Sequence, residues 1–413
     1  MPPPKSIQDN EQLNDLNDTK KWGGQYSWQP PKKRATLDEM GGPITPDTEA
    51  TYRALMKRWL CERHHMSEEV DDDWLMVRRR VSATYHDLID VFDDDGKPGR
   101  FVVMTPTFSD IVSAVSGRKG QERKKPHVCV PMLDTEKGWQ LDLDALQNTL
   151  QPGDLLILCN PNNPNGYVYT EQDLQAIVAC CKQKGVKIVS DDIWSDQIFH
   201  PEKQHTPIIN VALQQNYQNA VAMTYSTGKA FNTTQIPCSL AIIPDPEMRE
   251  RVRGLGESQD HVTQLGAELA INAIKEGGDG ALYIDQLNTQ LLKNAAFVRE
   301  VLEKMGCKVH PSDANSVLFV QLPSEYVSRQ RGAVRSQISA VTGSSTSASK
   351  RLLDLMGTLH IGYIPGEEYG PVRYVREGKE EKAPQYIRVN IGCPLHVLQR
   401  KYGKLQEKWE NPS

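Results

Sequence analysis

Short runs of apolar residues alternate with amphipathic stretches in the middle of the chain, which is typical of a sheet that helices cover on both faces. Residues 47–65 and 82–92 have helical periodicity, and the strand-like runs are 100–106, 154–160, 186–190, 220–226 and 238–244. A helix between the second and third runs has Thr170 as a capping residue, Asp173 three positions later and Gly185 at its end. This order predicts a β-α-β unit with a right-handed crossover in a parallel sheet.

The pattern changes after Pro246, where long helical stretches run to about residue 305. Two later strand-like runs, 316–322 and 386–392, predict a smaller α+β domain. Because 413 residues are too many for one ordinary core, we predict an α/β chain in three parts. Residues 1–45 form an N-terminal arm and part of the small domain, 46–285 a large domain with a mostly parallel central sheet, and 286–413 the small C-terminal domain.

Two polar stretches interrupt the small domain. The segment at about 328–350 is rich in Ser, Gly and Thr and poor in apolar residues, which predicts a mobile surface insertion. Residues 376–385 form a second, charged excursion.

Composition excludes several classes of function. A net charge of −5 gives no reason to expect nucleic acid as a partner, and no run of 18 apolar residues suggests a membrane span. The polar N-terminal segment lacks the apolar core of a signal peptide. None of the eight cysteines forms a C-x-x-C pair, so we expect reduced, mostly buried thiols, a cytoplasmic protein and no metal site.

Polar sequences follow three of the strand-like runs. They are NPNNPNG at 160–166, DDIW at 191–194 and TGKAFN at 227–232. Ligands of open α/β sheets bind beyond the carboxyl ends of the strands. The sequence therefore predicts that an amide cluster, a carboxylate pair and Lys229 converge on one crevice.

Lys229 has several possible roles besides that of a solvated surface charge. A phosphate-binding P-loop does not fit, because Met223 stands where the first Gly is required and Ala230 follows the lysine. A Ser-x-x-Lys nucleophile fits Ser226 and Lys229, but no S-D-N or K-T-G segment follows.

The third role is a lysine that binds pyridoxal 5′-phosphate covalently. That chemistry needs an acid at the pyridine nitrogen, a donor to the ring oxygen and small hydroxyl residues around the phosphate. Asp191, Asn163 and Ser226 are of these types and follow strand-like runs. We therefore favour this role.

Four segments carry a resemblance to a known family: LCNPNNPNGYVYTEQDLQAIVACC, VKIVSDDIWSDQIF, STGKAFN and YIRVNIGCP. In this order they resemble fold-type I pyridoxal phosphate enzymes of the class I/II aminotransferase superfamily. Within it, the chain is most similar to the cystathionine β-lyase (MalY/PatB-type C–S lyase) branch, from about residue 22 to about residue 405. The resemblance implies an aspartate aminotransferase-like fold.

The resemblance also implies roles for single residues. Lys229 would bind the cofactor aldehyde and later remove the Cα proton of the substrate. Asp191 would keep the pyridine nitrogen protonated, and Asn163 would donate to the ring oxygen and border the substrate. Phe108 would stack on the ring, and Arg388 would bind the substrate carboxylate with its two-donor fork.

The phosphate of the cofactor is expected at the start of a helix, where backbone N–H groups and the helix dipole favour an anion. The resemblance assigns it four residues: Ser82, Ala83, Thr84 and Ser226.

Three positions depart from the family pattern. Trp194 replaces a His or Tyr that donates to the ring oxygen, and an indole can donate one hydrogen bond but cannot ionise. Ile44 lies near the place of a Tyr that reaches the phosphate of the partner subunit, in a shortened segment between residues 28 and 46. Arg80 stands where the family tends to have Gly. These departures lie on the substrate side of the expected pocket.

The resemblance favours C–S β-elimination from cystathionine or a cysteine S-conjugate. Three alternatives stay open: an aminotransferase, an enzyme of specialised metabolism acting on a bulky amino acid, and a degenerate member that serves as a regulatory or binding protein. An amino acid substrate and a homodimer are what the family implies.

Overall fold

The computed structural model describes residues 44–117, 122–255, 261–323 and 348–411. Its α-helices are α1 Pro46–His64, α2 Val81–Asp93, α3 Ser109–Ser116, α4 Leu143–Thr149, α5 Glu171–Lys184, α6 Ile208–Gln214, α7 Pro246–Gly254, α8 His261–Ile274, α9 Gly280–Glu303, α10 Ala348–Thr358 and α11 Leu395–Glu410. Its strands are β1 Leu75–Arg78, β2 Phe101–Thr105, β3 His127–Pro131, β4 Leu133–Thr135, β5 Gly138–Gln140, β6 Leu155–Cys159, β7 Lys187–Asp191, β8 Val221–Tyr225, β9 Ser239–Ile242, β10 Lys308–Val309, β11 Val317–Gln321, β12 Tyr363–Pro365, β13 Arg373–Arg376, β14 Lys379–Glu381 and β15 Tyr386–Asn390.

The central sheet has seven strands in the order β1-β9-β8-β7-β6-β2-β3. The pairs from β8 to β3 are parallel, whereas β9 runs antiparallel to both β8 and β1. Every residue of β2, β6 and β8 is buried, because helices cover both faces of the sheet. The prediction of an α/β fold with a mostly parallel sheet is confirmed.

The predicted β-α-β unit is β6-α5-β7. Thr170 caps α5 in a capping box with Asp173, and Gly185 ends the helix at φ 69°, in the left-handed region that glycine adopts at low cost. The crossover places β6 and β7 side by side and in parallel, so their carboxyl ends meet at one edge of the sheet. This edge carries the candidate site.

Two smaller sheets follow the central one. The first, β10-β11-β15-β12, is antiparallel and contains both strands predicted near the C-terminus. The second, β14-β13-β4-β5, includes residues of the predicted charged excursion, which form part of a β-hairpin. The predicted domain boundary at 285/286 falls inside α9, a helix of 24 residues, so one continuous helix runs across it.

The predicted N-terminal arm lies outside the described residues except for Ile44 and Thr45, and the side chain of Ile44 is buried in the main core. The predicted insertion also lies outside them up to residue 347, and its last three residues, 348–350, begin α10. All eight cysteines are free thiols, five of them buried, as predicted. Among the helices of the described ranges, none combines the length and apolar character that crossing a membrane requires.

Candidate active site

A cavity of about 190 Å³ lies at the carboxyl ends of β6, β7 and β8. It brings together seven of the residues predicted from the sequence: Ser82, Phe108, Asn163, Asp191, Trp194, Ser226 and Lys229. The chain order and strand order explain this convergence, because each polar segment follows a strand and the three strands are neighbours.

Asp191 is the last residue of β7 and is buried at the cavity wall. Its Oδ1 accepts one hydrogen bond, from the N–H of Ile193 at 3.2 Å, and no ion pair reaches it within the described ranges. Burial, reinforced by the charge of Asp192, raises the pKa of Asp191 to about 7, although the Ile193 N–H and the Lys229 amine act in the opposite direction. A carboxylate so poorly solvated is stabilised by a ligand that offers it an N–H.

Lys229 lies in the turn after β8, and its backbone is held by a hydrogen bond from Nε2 of Gln197 to its carbonyl oxygen at 2.7 Å. Its amine is 5.1 Å from the ring centroid of Trp194 and has no hydrogen-bond partner in the part of the chain that the structure describes. Burial lowers the pKa of Lys229, while the charge of Asp191 acts against that change. A desolvated lysine is more easily neutral, which is the form that attacks a carbonyl group.

Asn163 and Arg388 are joined directly. Arg388, on β15, donates from Nη1 to Oδ1 of Asn163 at 3.2 Å, and its guanidinium carbon lies 5.3 Å from the ring centroid of Tyr369. Burial lowers the pKa of Arg388. Arg388 therefore lies beside the residues that line the cavity and contacts one of them, Asn163.

The first turn of α2 brings Ser82 to the cavity, but the next two residues are placed differently. Ala83 lines a larger neighbouring cavity of about 650 Å³, which shares Arg80, Ser82 and Asp110 with the first. Thr84 is buried, and its hydroxyl donates to the carbonyl oxygen of Arg80 at 2.9 Å. The hydroxyl of Thr84 is thus used inside the helix.

The hydroxyl of Ser226 is also engaged within the protein. It donates to the carbonyl oxygen of Cys238 at 2.7 Å and accepts from the N–H of Gly228 at 3.0 Å. Since its single proton is already donated, Ser226 has none to offer to an anion while this bond persists.

The cavity wall also contains Arg79, Arg80, Tyr85 and Asp110; of these four, the sequence analysis noted only Arg80, as a departure from the family pattern. The Tyr85 hydroxyl donates to Asp110 in a short hydrogen bond. The segment RRRVSATY, which contains the predicted phosphate turn, carries the first three of them, so two adjacent arginines before that turn were the available signal.

A buried network behind the cavity was also missed. Asp196 accepts from Trp59 Nε1 at 3.3 Å, from His64 Nε2 at 3.0 Å and from the Tyr225 hydroxyl at 2.7 Å, and it pairs with Arg63 at 3.2 Å. Burial alone would raise the pKa of Asp196, but the hydrogen bond and charge of His64 and the charge of Arg63 bring it down to about 2.

Asp192 anchors the same segment on its other side. It accepts from Nε2 of His205 at 2.8 Å and from the Ser190 hydroxyl in a short hydrogen bond. Together Asp192 and Asp196 hold the loop that carries Asp191 and Trp194. Nothing in the spacing of DDIWSD revealed that these carboxylates point away from the cavity.

The residues at the cavity fit pyridoxal phosphate, the cofactor that the sequence resemblance implies. The buried carboxylate of Asp191 accepts a hydrogen bond from one backbone N–H. Within the described ranges, the Lys229 amine has no hydrogen-bond partner, and Nδ2 of Asn163 donates no hydrogen bond. An aldehyde, a pyridine nitrogen and a ring oxygen would satisfy the amine, the carboxylate and the amide respectively.

The model of the family described as aminotransferase class I and II matches residues 91–395, more than half of the chain. Among curated relatives, the cystathionine beta-lyase PatB of Bacillus subtilis is 26% identical over 366 residues, which cover 87% of this chain and 82% of PatB. A histidinol-phosphate aminotransferase of Symbiobacterium thermophilum is 27% identical over 271 residues, 65% of this chain and 68% of that protein.

Solved structures show the same fold. Cystalysin from Treponema denticola, whose crystal structure contains a pyridoxal 5′-phosphate cofactor, superposes with a TM-score of 0.73 at 18% identity, covering 99% of this chain and 98% of cystalysin. The resemblance inferred from the four sequence segments is thereby confirmed: the chain belongs to the aminotransferase class I and II family.

Proposed function

We propose that the chain is a pyridoxal phosphate-dependent C–S β-lyase that cleaves cystathionine or another cysteine S-conjugate. In this reaction the Cα–H and Cβ–S bonds of the substrate break and one water is consumed, giving a thiol, pyruvate and ammonia. The observation that carries the proposal is the presence of Lys229 and Asp191 on the wall of one cavity. The similarity to a cystathionine beta-lyase over most of the chain favours this reaction among those of the family.

The bound cofactor supplies an electron sink that lets the Cα–H bond of an amino acid ionise. Lys229 would hold the cofactor through its amine and, once that amine is free, would take the Cα proton. Burial suits both tasks, because the lowered pKa of Lys229 increases the neutral, proton-accepting fraction of the amine near neutral pH.

Asp191 and Asn163 would hold the ring. The carboxylate of Asp191 would accept a hydrogen bond from the protonated pyridine nitrogen, and the ring charge would in turn stabilise the ionised carboxylate in its buried position. Because Oδ1 of Asn163 already accepts from Arg388, its Nδ2 is the atom that donates to the ring oxygen.

Two aromatic side chains of the wall would border the ring: Phe108, at the start of α3, and Trp194, beside the Lys229 amine. Phe108 offers a flat face for stacking. Trp194 stabilises the charged form of the amine through the electron-rich face of its ring and keeps water away from it.

Arg388 binds the α-carboxylate of the substrate. Its guanidinium is partly buried and donates one hydrogen bond to Asn163, which leaves other N–H groups of the planar fork for a carboxylate. Burial makes this ion pair stronger than a surface pair would be.

The first turn of α2, which brings Ser82 to the cavity, would receive the phosphate. The backbone N–H groups at Ser82 and Ala83 lie in that turn and have no carbonyl partners inside the helix. Thr84 closes the turn by donating to the Arg80 carbonyl, and Ser226 also lines the cavity.

A direct test combines labelling with product analysis. Borohydride reduction of the loaded protein should fix the cofactor on the peptide that contains Lys229, as seen by mass spectrometry, and Lys229→Ala should abolish both the label and turnover. Pyruvate and thiol released from a cysteine S-conjugate without a keto acid would support the lyase. Label on another lysine would refute the assignment of Lys229.

Aminotransfer is the second candidate, because a histidinol-phosphate aminotransferase is also among the relatives. It predicts amine exchange that requires a keto acid acceptor and releases no thiol. A reaction on a bulky amino acid is the third, favoured by the neighbouring cavity of about 650 Å³. A panel of amino acids and cysteine S-conjugates, followed by mass spectrometry, separates the three.

We further infer a homodimer in the cytoplasm. The family resemblance supports the first, and eight free cysteines fit a reducing compartment. Light scattering coupled to gel filtration would test the assembly, since a monomer mass at micromolar concentration would contradict it.

A further inference from the structure

Two adjacent arginines line the candidate cavity where β1 ends and α2 begins. Arg79 is partly buried and Arg80, which immediately precedes α2, is exposed. Among the described residues of the cavity wall, the cationic side chains are these two and Lys229. We propose that Arg79 and Arg80 supply the positive charge that holds the cofactor phosphate, an inference that rests on the proposed pyridoxal phosphate chemistry.

The sheet register places Arg79 beside the part of the cavity where the phosphate is predicted to bind. Arg78 pairs with Ser239 across the antiparallel β1 and β9, so continuing the register by one residue sets Arg79 opposite Cys238. The carbonyl oxygen of Cys238 accepts the Ser226 hydroxyl at 2.7 Å. Arg79 and Ser226 therefore flank the same residue, and both line the cavity.

The start of α2 provides backbone donors at this place. The helix has 13 residues, and its first-turn N–H groups lack partners within the helix. No acidic residue occupies the first turn, so no side chain of that turn competes with an anion. The buried carboxylate of Asp191, with its single backbone donor, independently indicates that a ligand belongs in this cavity.

Charge balance then requires side-chain cations. A phosphate monoester carries about −1.5 to −2 at neutral pH, whereas the end of a helix offers about +0.5. Lys229 is committed to the aldehyde in the proposed reaction and is therefore not available to the phosphate. The Ser226 hydroxyl donates its proton to Cys238 and cannot add a donor. The two arginines are the cations left on the described wall.

Their unequal exposure predicts unequal contributions. A partly buried guanidinium is screened less by water and salt than an exposed one. Arg79 should therefore contribute more to phosphate binding than Arg80. Both side chains make further contacts in the protein, so the proposal concerns where their charge lies and requires neither to lack a partner.

The test compares two ligands that differ only in the phosphate: pyridoxal phosphate and pyridoxal. Their dissociation constants are measured by equilibrium dialysis for the full chain, Arg79→Gln, Arg79→Lys and Arg80→Gln. Arg123→Gln is the matched control, because Arg123 lines the neighbouring cavity and pairs with Asp90 outside the cofactor cavity. Borohydride mapping of Lys229 accompanies each measurement.

We expect Arg79→Gln to weaken pyridoxal phosphate binding by about tenfold to a hundredfold, which corresponds to the free energy of one hydrogen bond to a charged group. Pyridoxal binding should be almost unchanged. Arg79→Lys should lose less because it keeps the charge, Arg80→Gln should lose less because of its exposure, and Arg123→Gln should leave the ratio of the two constants unchanged.

Two results would overturn the proposal: an equal loss of affinity for both ligands, which indicates a structural role, or no loss for either ligand. If Arg79→Gln does not fold, as judged by circular dichroism, the proposal is decided by Arg79→Lys and Arg80→Gln. For each of them, the ratio of the dissociation constants for pyridoxal phosphate and pyridoxal is compared with that of the unmodified protein. If pyridoxal phosphate does not label Lys229 of the unmodified protein, the proposed function fails as well. If Lys229 is labelled but the arginine variants leave the ratio of the two dissociation constants unchanged, the arginine proposal is refuted and the proposed function stands.

Discussion

Arg388 donates a hydrogen bond to the side-chain oxygen of Asn163 at 3.2 Å, across 225 positions of sequence. The bond links β15 of the four-stranded antiparallel sheet to the loop after β6 in the central sheet. It fixes the orientation of the Asn163 amide and, with it, the direction in which Nδ2 can donate. A group proposed to bind substrate is thus coupled to a group proposed to bind the cofactor ring.

Replacing Arg388 by Lys should damage substrate binding more than cofactor binding. Lysine keeps the charge but lacks the planar fork, so one hydrogen bond to the substrate carboxylate is lost. We expect KM for a cysteine S-conjugate to rise about tenfold to a hundredfold, while the pyridoxal phosphate affinity changes little. Steady-state kinetics and equilibrium dialysis measure the two effects.

The amine analogue of the same conjugate, which lacks the carboxylate, is the control for Arg388→Lys. Its turnover, slow in the unmodified protein, should be almost insensitive to the substitution. An equal effect on both substrates would show that Arg388 supports the structure of the site and does not contact the carboxylate.

Asp191→Asn should stabilise the cofactor-free protein at high pH and leave it unchanged at low pH. The unfolded chain ionises this carboxyl near the ordinary aspartate pKa of 3.8, whereas the folded protein keeps it protonated to about pH 7. The stabilising contribution of Asp191 is therefore full below pH 4 and is lost as the pH rises through 7. Asparagine avoids this loss, which amounts to at most about 4 kcal/mol.

Urea unfolding of the cofactor-free protein and of Asp191→Asn at about pH 3 and about pH 8, each about one unit outside the window set by the two pKa values, measures this difference. Asp144→Asn, at an exposed position in the first turn of α4, is the control for loss of a carboxylate. A gain for Asp191→Asn that is the same at both pH values would contradict the buried-carboxylate explanation.

The sequence predicted the central sheet and the main polar residues of the cavity because local patterns indicate both. Apolar runs locate the strands, and the rule that ligands bind at the carboxyl ends of parallel strands joins Asn163, Asp191 and Lys229 without further information. These are the residues that the structure brings to one cavity.

What the sequence left open depends on contacts between distant residues. The carbonyl to which the Ser226 hydroxyl donates its proton belongs to Cys238, which lies just before the neighbouring strand β9. The arginines before the predicted phosphate turn are only a weak signal for Arg79, and Asp196 gives none, because an arginine or an aspartate can face a cavity or a buried network equally well. Only the packing of α1 and β9 against the central strands decides this.

Asp196→Ala should destabilise the protein strongly. The variant leaves the buried His64 side chain and the Tyr225 hydroxyl without their acceptor, and Arg63 without its buried partner, at a cost of about 3–5 kcal/mol. Because the folded pKa of Asp196 is about 2, its contribution is present above the unfolded value of 3.8 and is lost as the pH falls towards 2. Chemical unfolding at neutral and at acidic pH measures both effects.

Asp285→Ala is the matched control, since Asp285 also pairs with Arg63, at 2.9 Å, but is 65% exposed. Exposed ion pairs contribute at most about 1 kcal/mol. Equal losses for the two variants would show that burial of the Asp196 network adds no stability.

Gly166→Ala should destabilise the loop that carries Asn163. Gly166 ends the NPNNPNG turn at φ 70°, and an added Cβ would lie 1.9 Å from the Ser312 hydroxyl oxygen and 2.9 Å from the Ala314 carbonyl oxygen. The side chain of Ser312 can rotate away, but the backbone at Ala314 cannot move without shifting the loop. We expect a loss of about 2–4 kcal/mol in unfolding free energy, from left-handed strain and the clash together.

Gly185→Ala separates the strain from the clash. Gly185 has nearly the same φ, 69°, but an added Cβ there would meet no atom within 4 Å. Its replacement should cost only about 1–2 kcal/mol, the penalty of a left-handed residue alone. Because Gly166 holds the loop of Asn163 and Gly185 does not, only Gly166→Ala should also weaken cofactor binding. A larger loss at Gly185 than at Gly166 would mean that the loop after β6 yields easily and does not constrain the site.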